Sequence, residues 1–316
     1  MLPPNSLLVR AGGKNENNSS RVWTVEWTSC KSLYLAMGGI VARRLPTATS
    51  RAVAPLARFS TPPASPHRAL SSSATRGGGF FELRQYDITP GGFKAYMEQT
   101  STTAGVRREL FQTAESSWLA FFTTEIGPAL SRVHHLYYYA DYDVRDKVRS
   151  AVARDERWTK YLQAVKPHMV NQSSLIYHEA TSVLKSNGIG GALEMPTEAI
   201  SADSGSAVCY EMRRYQLKLG YPTVPDFMAA YGEGLADKLG ADKSGASSLV
   251  TLLYNDVGPL NSVIELWRHE SMQRSMDSRV ASRQATLWKK AVAKNAELGI
   301  SFDNQFLRPA PFSPWR

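Results

Sequence analysis

The chain has 316 residues, of which 43% are hydrophobic and 21% are charged, a balance typical of a globular protein with two or three domains. Its formal net charge of +9 is concentrated at the amino end, because residues 1–79 contain ten Arg or Lys and two Glu. The rest carries 27 basic and 26 acidic side chains, which excludes a general attraction to nucleic acid. Two cysteines, Cys30 and Cys209, exclude a disulfide framework and a cysteine-based metal site.

Residues 1–79 have the composition of an organelle transit peptide, rich in Arg, Ser, Ala and Pro and poor in acids. The pattern is cleanest from Met37, which is an alternative start to Met1. Arg-Ala-Leu followed by three serines at 68–73 resembles a matrix-processing site. We therefore expect import into an organelle, with the mitochondrial matrix favoured over a plastid. The alternative is a plain disordered tail that carries no targeting signal. The apolar run around Leu33–Val41 is too short to span a bilayer, so we expect no transmembrane segment.

The pattern after the leader predicts one β-α-β-β-α-β unit in residues 80–181, the order of a ferredoxin-like fold. Aromatic and aliphatic residues fill the strands, and Val144, Val148 and Val152 recur at helical spacing. The predicted strands are Phe80–Ile88, Ser117–Ile126, Val133–Ala140 and Asn171–His178, and the predicted helices are Gly92–Ala104 and a long helix through Trp158 to near Pro167.

The same order recurs in residues 207–316, after a Gly-, Ser- and Glu-rich linker at 182–206. Its predicted strands are Val208–Leu217, Ser248–Asn255, Val263–His269 and Ile300–Leu307, and its helices are Pro225–Leu239 and Met272–Leu298. Landmarks repeat at a shift of 129 to 131 residues, which indicates a tandem duplication. The matched landmarks are Glu82, Arg84 and Tyr86 with Glu211, Arg213 and Tyr215; Gly127 and Pro128 with Gly258 and Pro259; Arg149 with Arg279; and Trp158 with Trp288.

Each unit places both helices on one face of its sheet and leaves the other face bare. Two units can cover these bare faces by packing them together into a closed α+β barrel. Because side chains alternate along a strand, Glu82, Arg84 and Tyr86 share one face, and Phe81 and Leu83 share the other. We expect the apolar pair to lie under the helices and the charged set to face the opposite sheet. The predicted cavity wall is then Glu82, Arg84, Tyr86, His135 and Tyr137 from one half and Glu211, Arg213, Tyr215, Glu265 and Trp267 from the other.

Two interpretations of this charged set stay open. One is an internal ion-pair network that fixes how the two halves pack. Glu82 and Arg84 are not expected to bond ideally along one strand, so cross-strand partners such as His135 and Glu265 would complete the network. The other is a ligand site in which Arg binds a carboxylate or similar anion and His or Glu moves a proton. We favour the network, because structural ion pairs also produce such clusters.

The remaining motif residues have structural interpretations. Trp158 and Trp288 lie on apolar helix faces and are expected to be core residues. Arg149 and Arg279 are expected to bond loop carbonyls or carboxylates. His134 and His135 are adjacent on a predicted strand and point to opposite faces of it, so we do not expect them to share a metal ion. We expect no metal and no cofactor, and the chain has no phosphate-binding or hydrolase motif at a strand–helix junction.

These motifs together resemble the NIPSNAP family over nearly all of residues 80–316, in two tandem copies. The resemblance rests on the E-[LM]-R-x-Y strands, the Gly-Pro turns, the H-L-Y and E-L-W strands, and the Arg and Trp of the following helices. It implies a dimeric α+β barrel and a mitochondrial protein. The family's H-L-W pattern is imperfect here, since the first copy has Tyr137 for Trp and the second has Glu265 for His.

The resemblance implies a function in mitochondrial quality control, vesicle transport or protein interaction, without an established catalytic activity. The first hypothesis is therefore a non-catalytic adaptor with protein partners. The alternative is a small-molecule or haem-binding enzyme that uses the barrel cavity, because related barrels include cofactor-independent monooxygenases. A purely structural subunit of a larger assembly is a third. Whether one chain closes the barrel or pairs with another chain as a homodimer is left open by the sequence.

Overall fold

The computed structural model describes residues 78–195 and 208–316. This part of the chain contains the predicted β-α-β-β-α-β order twice. Its strands are β1 Phe80–Ile88, β2 Ser116–Ile126, β3 Arg132–Tyr139, β4 Met169–Glu179, β5 Cys209–Leu217, β6 Ser247–Val257, β7 Ser262–His269 and β8 Gly299–Pro309. Its α-helices are α1 Phe93–Thr102, α2 Ala104–Phe111, α3 Tyr142–Arg154, α4 Glu156–Val165, α5 Thr181–Ser186, α6 Thr223–Ala241, α7 Met272–Ser282 and α8 Thr286–Leu298.

The eight strands form one closed barrel in the order β1-β3-β2-β8-β5-β7-β6-β4, and every neighbouring pair for which a register is defined is antiparallel. Strands β2 and β8 join the two repeats along one seam, and β4 and β6 join them along the other. The predicted α+β barrel is therefore confirmed, and a single chain supplies both of its sheets.

Each predicted long helix is two helices. Asp155 ends α3 in an extended conformation, and its carboxylate accepts hydrogen bonds from the backbone N–H groups of Arg157 at 2.8 Å and Trp158 at 3.2 Å. Such a cap satisfies the free donors of a new helix and so starts α4. A second break, at 283–285, separates α7 from α8. Helix α2 follows α1 almost directly and was not predicted.

The interior of the barrel is packed mainly with apolar side chains. This is the reverse of the prediction, which placed the apolar strand face under the helices and the charged face inside the barrel. The interior cluster includes Phe81, Leu83, Leu136, Tyr210, Met212, Ile264 and Leu266. The alternation was right, but the side chains expected in the interior lie under the helices instead. These are Glu82, Arg84, Tyr86, His135, Tyr137, Glu211, Arg213, Tyr215, Glu265 and Trp267.

The physical reason is the supply of partners. An eight-stranded barrel is just wide enough for its own side chains to fill, so apolar groups suit its interior. Buried carboxylates need counter-charges, and the helices supply them. Arg145 of α3 bonds Glu82, and Arg279 of α7 bonds Glu211.

Several predictions fall partly or wholly outside the described residues. The predicted transit peptide lies there except for Gly78 and Gly79. The predicted linker is described over 182–195, where it begins within α5, and residues 196–207 lie outside. Among the helices that are described, none combines the length and the apolarity needed to cross a membrane.

Candidate ligand-binding site

The residues predicted to line one shared cavity form two separate groups, one in each repeat. Each group lies between the outer face of its sheet and the helices that cover it. The first-repeat group surrounds Glu82 and His135, and the second-repeat group surrounds Glu211 and Glu265. The prediction of a single polar cavity inside the barrel is therefore wrong, although each half of the predicted set does come together.

In each repeat, the glutamate of the opening strand is the centre of a buried hydrogen-bond network. Glu82 accepts from Arg84 Nη1 at 2.9 Å, from Arg145 Nε at 3.0 Å and from the hydroxyl of Ser174. Burial alone would raise its pKa, but these donors and positive charges outweigh burial and lower the pKa to about 2. Glu82 is thus a carboxylate at neutral pH.

The second repeat builds the same network around Glu211. Its carboxylate accepts from Arg213 Nε at 2.6 Å, from Asn304 Nδ2 at 2.6 Å and from Arg279. Its pKa is again held far below the usual range, against the effect of burial, by His269 and the arginines. The arginine two residues along the strand bonds the glutamate in both repeats, so the expectation that this spacing prevents a good bond is wrong.

The first-repeat group packs around Arg107, a residue of α2 that is only 2% exposed. Its guanidinium donates to His135 Nδ1 at 2.9 Å and to the Tyr161 hydroxyl at 2.9 Å, and it also donates to Tyr137. Its Cζ lies 4.8 Å from the centre of the Trp158 ring. Aromatic rings and neutral acceptors therefore surround this buried cation.

His135 is neutral and its acceptor nitrogen is occupied. Burial and the charges of Arg107 and Arg84 hold its pKa well below the usual value. Because a guanidinium can only donate, Nδ1 accepts from Arg107 and the ring proton belongs on Nε2, which lies 3.5 Å from the Tyr96 hydroxyl. This arrangement suits a structural histidine better than a general base.

The second-repeat group contains an acid–cation pair at the matching positions. Glu265 stands 130 residues after His135, and Lys238 stands 131 residues after Arg107. Glu265 accepts from the Tyr215 hydroxyl and, at 2.7 Å, from Trp267 Nε1, and its Oε2 lies 3.8 Å from Lys238 Nζ. Burial alone would raise the pKa of Glu265, but the charges of Lys238 and Arg213 and the hydrogen bonds from Tyr215 and Trp267 hold it below its usual value.

Beside this pair the second repeat has an open pocket of about 430 Å³. It lies between β5, β7, the first residues of β8 and the helices α6 and α8. Its walls are mostly apolar and aromatic, and a few polar groups converge on it, as in typical small-molecule sites. The lining residues are Arg213, Tyr215, Phe227, Tyr231, Glu265, Trp288, Val292, Asn295, Ala296, Gly299, Ile300, Ser301 and Phe302.

Two polar groups of the pocket lining are incompletely satisfied. The Tyr231 hydroxyl makes no hydrogen bond of ordinary geometry among the described residues, although Glu265 lies close enough to help burial raise its pKa. Asn295 Oδ1 is also buried without a partner in that part of the chain. Buried polar groups are normally paired, so these two atoms mark incomplete hydrogen bonding in the wall of the pocket.

At two positions of the matching space the first repeat carries the larger side chain. Met169 stands where the second repeat has Gly299, and Leu162 stands where it has Val292. The strand register supports the first match, since Met169 lies opposite Ile88 and Gly299 lies opposite Leu217. Met169 and Leu162 both pack against the first-repeat core. Smaller residues thus leave room in the second repeat.

The duplicated landmarks have the structural positions expected of them. Gly127 and Pro128 follow β2, and Gly258 and Pro259 follow β6, so each Gly-Pro pair forms a hairpin turn. Gly258 has φ of +134°, a region that favours glycine, and an added Cβ would lie 2.7 Å from Leu175 Cδ2.

The helix residues that recur in both repeats divide between core and site. Trp158 and Trp288 are buried as predicted, and Trp288 also lines the pocket. Arg279 bonds a carboxylate as predicted, whereas the Arg149 guanidinium lies 6.0 Å from the centre of the Phe111 ring.

Three residues of these two groups, Arg107, Lys238 and Tyr231, were not predicted as site residues. Arg107 lies on the helix that was not predicted. Lys238 and Tyr231 share a helical stripe with Phe227 and Leu235, so a lysine within an otherwise apolar stripe was the available signal.

The pocket lining does not suit a haem iron. The described residues that line the pocket include no His, Cys or Met. The pKa values of Tyr215 and Tyr231 are both well above the usual value because of burial and the nearby Glu265 charge, so neither phenol readily becomes an anionic ligand. Within the described ranges, no three His, Cys, Asp or Glu side chains are grouped to hold a metal ion.

Comparison with known proteins identifies the family. The family model described as NIPSNAP matches residues 81–182 and 210–314, which together cover most of the chain. The chain belongs to the NIPSNAP family. Each NIPSNAP match spans one β-α-β-β-α-β unit and includes one complete charged group. The resemblance drawn from the strand and turn motifs is therefore confirmed.

Individual relatives cover one or both NIPSNAP matches. Protein NipSnap homolog 3B of Mus musculus is 27% identical over 242 residues, 75% of this chain and 86% of the mouse protein. The crystal structure of an uncharacterized NIPSNAP-like domain protein from Burkholderia xenovorans is 28% identical, covers 34% of this chain and 90% of that chain, and has a TM-score of 0.31. The structure of an anthrone oxidase-like protein is 11% identical, covers 73% and 91%, and has a TM-score of 0.45.

Proposed function

We propose that this NIPSNAP-family chain is a non-catalytic binding protein that holds a small molecule in the second-repeat pocket. The observation that carries the proposal is the difference between the repeats. In the first repeat, Met169 and Leu162 pack against the core, whereas in the second repeat Gly299 and Val292 line a pocket of about 430 Å³ beside Glu265. In this arrangement the first repeat is the scaffold and the second is the binding unit.

The pocket lining indicates a ligand with an apolar, ring-bearing body and one polar end. Phe227, Trp288 and Phe302 offer apolar and aromatic surface. Arg213 is 15% exposed and lines the pocket; its Nε bonds Glu211, and its Nη1 lies 3.9 Å from Glu265 Oε2. An oxygen-bearing head group beside Arg213 would gain a charge-assisted hydrogen bond.

A dye titration tests the proposal. N-phenyl-1-naphthylamine has an apolar ring body and becomes fluorescent in apolar sites, so it is a suitable neutral probe. We expect the wild-type chain to bind it and Gly299→Met to weaken binding at least tenfold, because methionine is what the filled first repeat carries at this position. Gly240→Met is the matched control, since Gly240 is exposed and an added Cβ meets open space there. Equal binding by all three proteins would contradict the proposal.

A second candidate is the protein adaptor implied by the family resemblance. The observation that favours it is the exposure of apolar side chains at both hairpin turns, where Leu130 is 62% and Leu260 is 57% exposed. Leu130→Asp with Leu260→Asp should then abolish capture of a specific partner from mitochondrial matrix extract while leaving dye binding intact. An unchanged set of captured proteins would count against the adaptor.

The mitochondrial location belongs to the same proposal. It rests on the Arg-rich, acid-poor composition of residues 1–79 and on the family resemblance. Fluorescence microscopy of the tagged full chain should place it in mitochondria, and deletion of residues 1–79 should disperse it. A homodimer stays a prediction, which light scattering of the purified chain tests.

A further inference from the structure

Lys238 is a buried ammonium group placed directly behind the second-repeat pocket. The residue is 6% exposed, and Nζ makes no hydrogen bond within the described part of the chain. Nζ lies 3.7 Å from the centre of the Trp267 ring and 4.4 Å from that of Trp288, and Trp288 itself lines the pocket. The nearest opposite charge is Glu265 Oε2 at 3.8 Å, also part of the pocket lining.

The charges around Lys238 are unequal in number. Strand β7 contributes Glu265, β5 contributes Glu211 and Arg213, and α7 contributes Arg279, while His269 lines the same small space. Among the lysine, arginine and glutamate side chains here, three cations face two carboxylates when Lys238 is protonated. With Lys238 neutral, the charges balance. An added negative charge in the pocket therefore suits the protonated form of Lys238.

We infer that the second-repeat pocket selects ligands with an anionic head group, that Arg213 receives this group, and that Lys238 supplies the matching buried charge. This inference rests on the proposed binding function and names the charge class of its ligand. Lys238 acts here as a specificity-determining residue behind the ligand, through Glu265 and Arg213, and does not itself touch the ligand.

The inference predicts that binding of an anion is linked to proton uptake. Burial lowers the pKa of Lys238 to about 7, against the opposing effect of Glu265. An anion in the pocket raises that pKa, so the complex holds a proton that part of the free protein has lost above pH 7. Affinity for an anion should therefore fall as the pH rises from 7 to 9. We expect a decrease of about tenfold, because the protein and solvent partly screen the attraction between the anion and the Lys238 ammonium group.

Two dyes with similar ring bodies separate charge from shape. 8-Anilinonaphthalene-1-sulfonate carries a sulfonate that stays ionised from pH 6 to 9, and N-phenyl-1-naphthylamine lacks it. For the wild-type chain we expect the sulfonate to bind more tightly at pH 6 than at pH 9 and the neutral dye to be unaffected by pH. Calorimetry in two buffers of different ionisation enthalpy should show proton uptake near pH 7.5 with the sulfonate.

Two variants assign the effect to Lys238. Lys238→Arg keeps its charge up to pH 9, so it should bind the sulfonate at every pH with the affinity that the wild type has at pH 6. Lys238→Met should bind it weakly at every pH. If Lys238→Met does not fold, the comparison of wild type with Lys238→Arg still decides. A pH-dependent affinity that persists in Lys238→Arg would overturn the inference.

The outcomes also separate this inference from the proposed function. If Gly299→Met blocks the neutral dye but the sulfonate binds no better at low pH, the pocket binds ligands and the charge selection is wrong. If Gly299→Met affects neither dye, the pocket itself is not a binding site and both proposals are lost.

Discussion

Gly299 occupies in the second repeat the position that Met169 occupies in the first. Each is the first residue of its closing strand and lies opposite the last residue of its opening strand, Leu217 for Gly299 and Ile88 for Met169. Met169 packs into the first-repeat core, and Gly299 lines the pocket. The duplication thus preserved the backbone and changed the side-chain volume next to the charged group.

Met169→Gly should destabilise the chain by about 2 kcal/mol, because it removes a partly buried side chain from the first-repeat core and adds backbone freedom. Urea unfolding measures the loss. Val170→Gly is the matched control, since Val170 is the next residue along the strand and is 68% exposed. Equal losses from the two variants would show that Met169 contributes no packing.

Glu82→Gln should change how the free energy of unfolding depends on pH in the acidic range. The folded-state pKa of Glu82 lies at about 2, below its unfolded value of 4.5, so its contribution is fully present above pH 4.5 and is lost as the pH falls toward 2. We expect the variant to be less stable by about 3 kcal/mol at pH 7, because Arg84 and Arg145 lose their carboxylate. The difference from wild type should shrink between pH 4.5 and 2.

Urea titrations at pH 7, 4 and 3 measure this difference. Glu98→Gln is the control, because Glu98 is 65% exposed and lies 3.9 Å from Lys94, which is 89% exposed. A Glu82→Gln deficit that stays constant over the whole range would contradict a folded-state pKa near 2.

Arg107→Met should destabilise the first repeat by about 3 kcal/mol, since it leaves the buried His135, Tyr137 and Tyr161 groups without their donor. Arg107→Lys should recover part of the loss, because a lysine is tolerated at the matching position, Lys238, but lacks the forked donor geometry. Binding of N-phenyl-1-naphthylamine by folded Arg107→Met should match that of wild type. A binding loss with preserved folding would move the site to the first repeat.

Much of the fold was predictable from local patterns. The alternation in Phe80–Ile88 gave the bounds of β1, and the repeated Glu-x-Arg-x-Tyr pattern indicated the duplication. The direction in which each strand face points was not predictable from these residues alone. Phe81 suits a helix-covered face and a barrel interior equally well, and the choice depends on where the counter-charges lie.

The candidate site was predictable only in part, for the same reason. Glu82 and Glu211 belong to recognisable strand motifs, whereas their partner arginines come from helices far along the chain. Arg145 is 63 residues from Glu82, and Arg279 is 68 residues from Glu211. The pocket depends on volume differences between matched positions, which a pattern of polar and apolar residues does not encode.

A crystal of the chain soaked with 6-bromo-2-naphthoate tests the account most directly, because the anomalous signal of bromine locates the ligand independently of the protein. We predict a bromine peak in the second-repeat pocket near Phe302, with the carboxylate within hydrogen-bond distance of Arg213. An ordered ligand found inside the barrel or in the first repeat, with this pocket empty, would contradict the account.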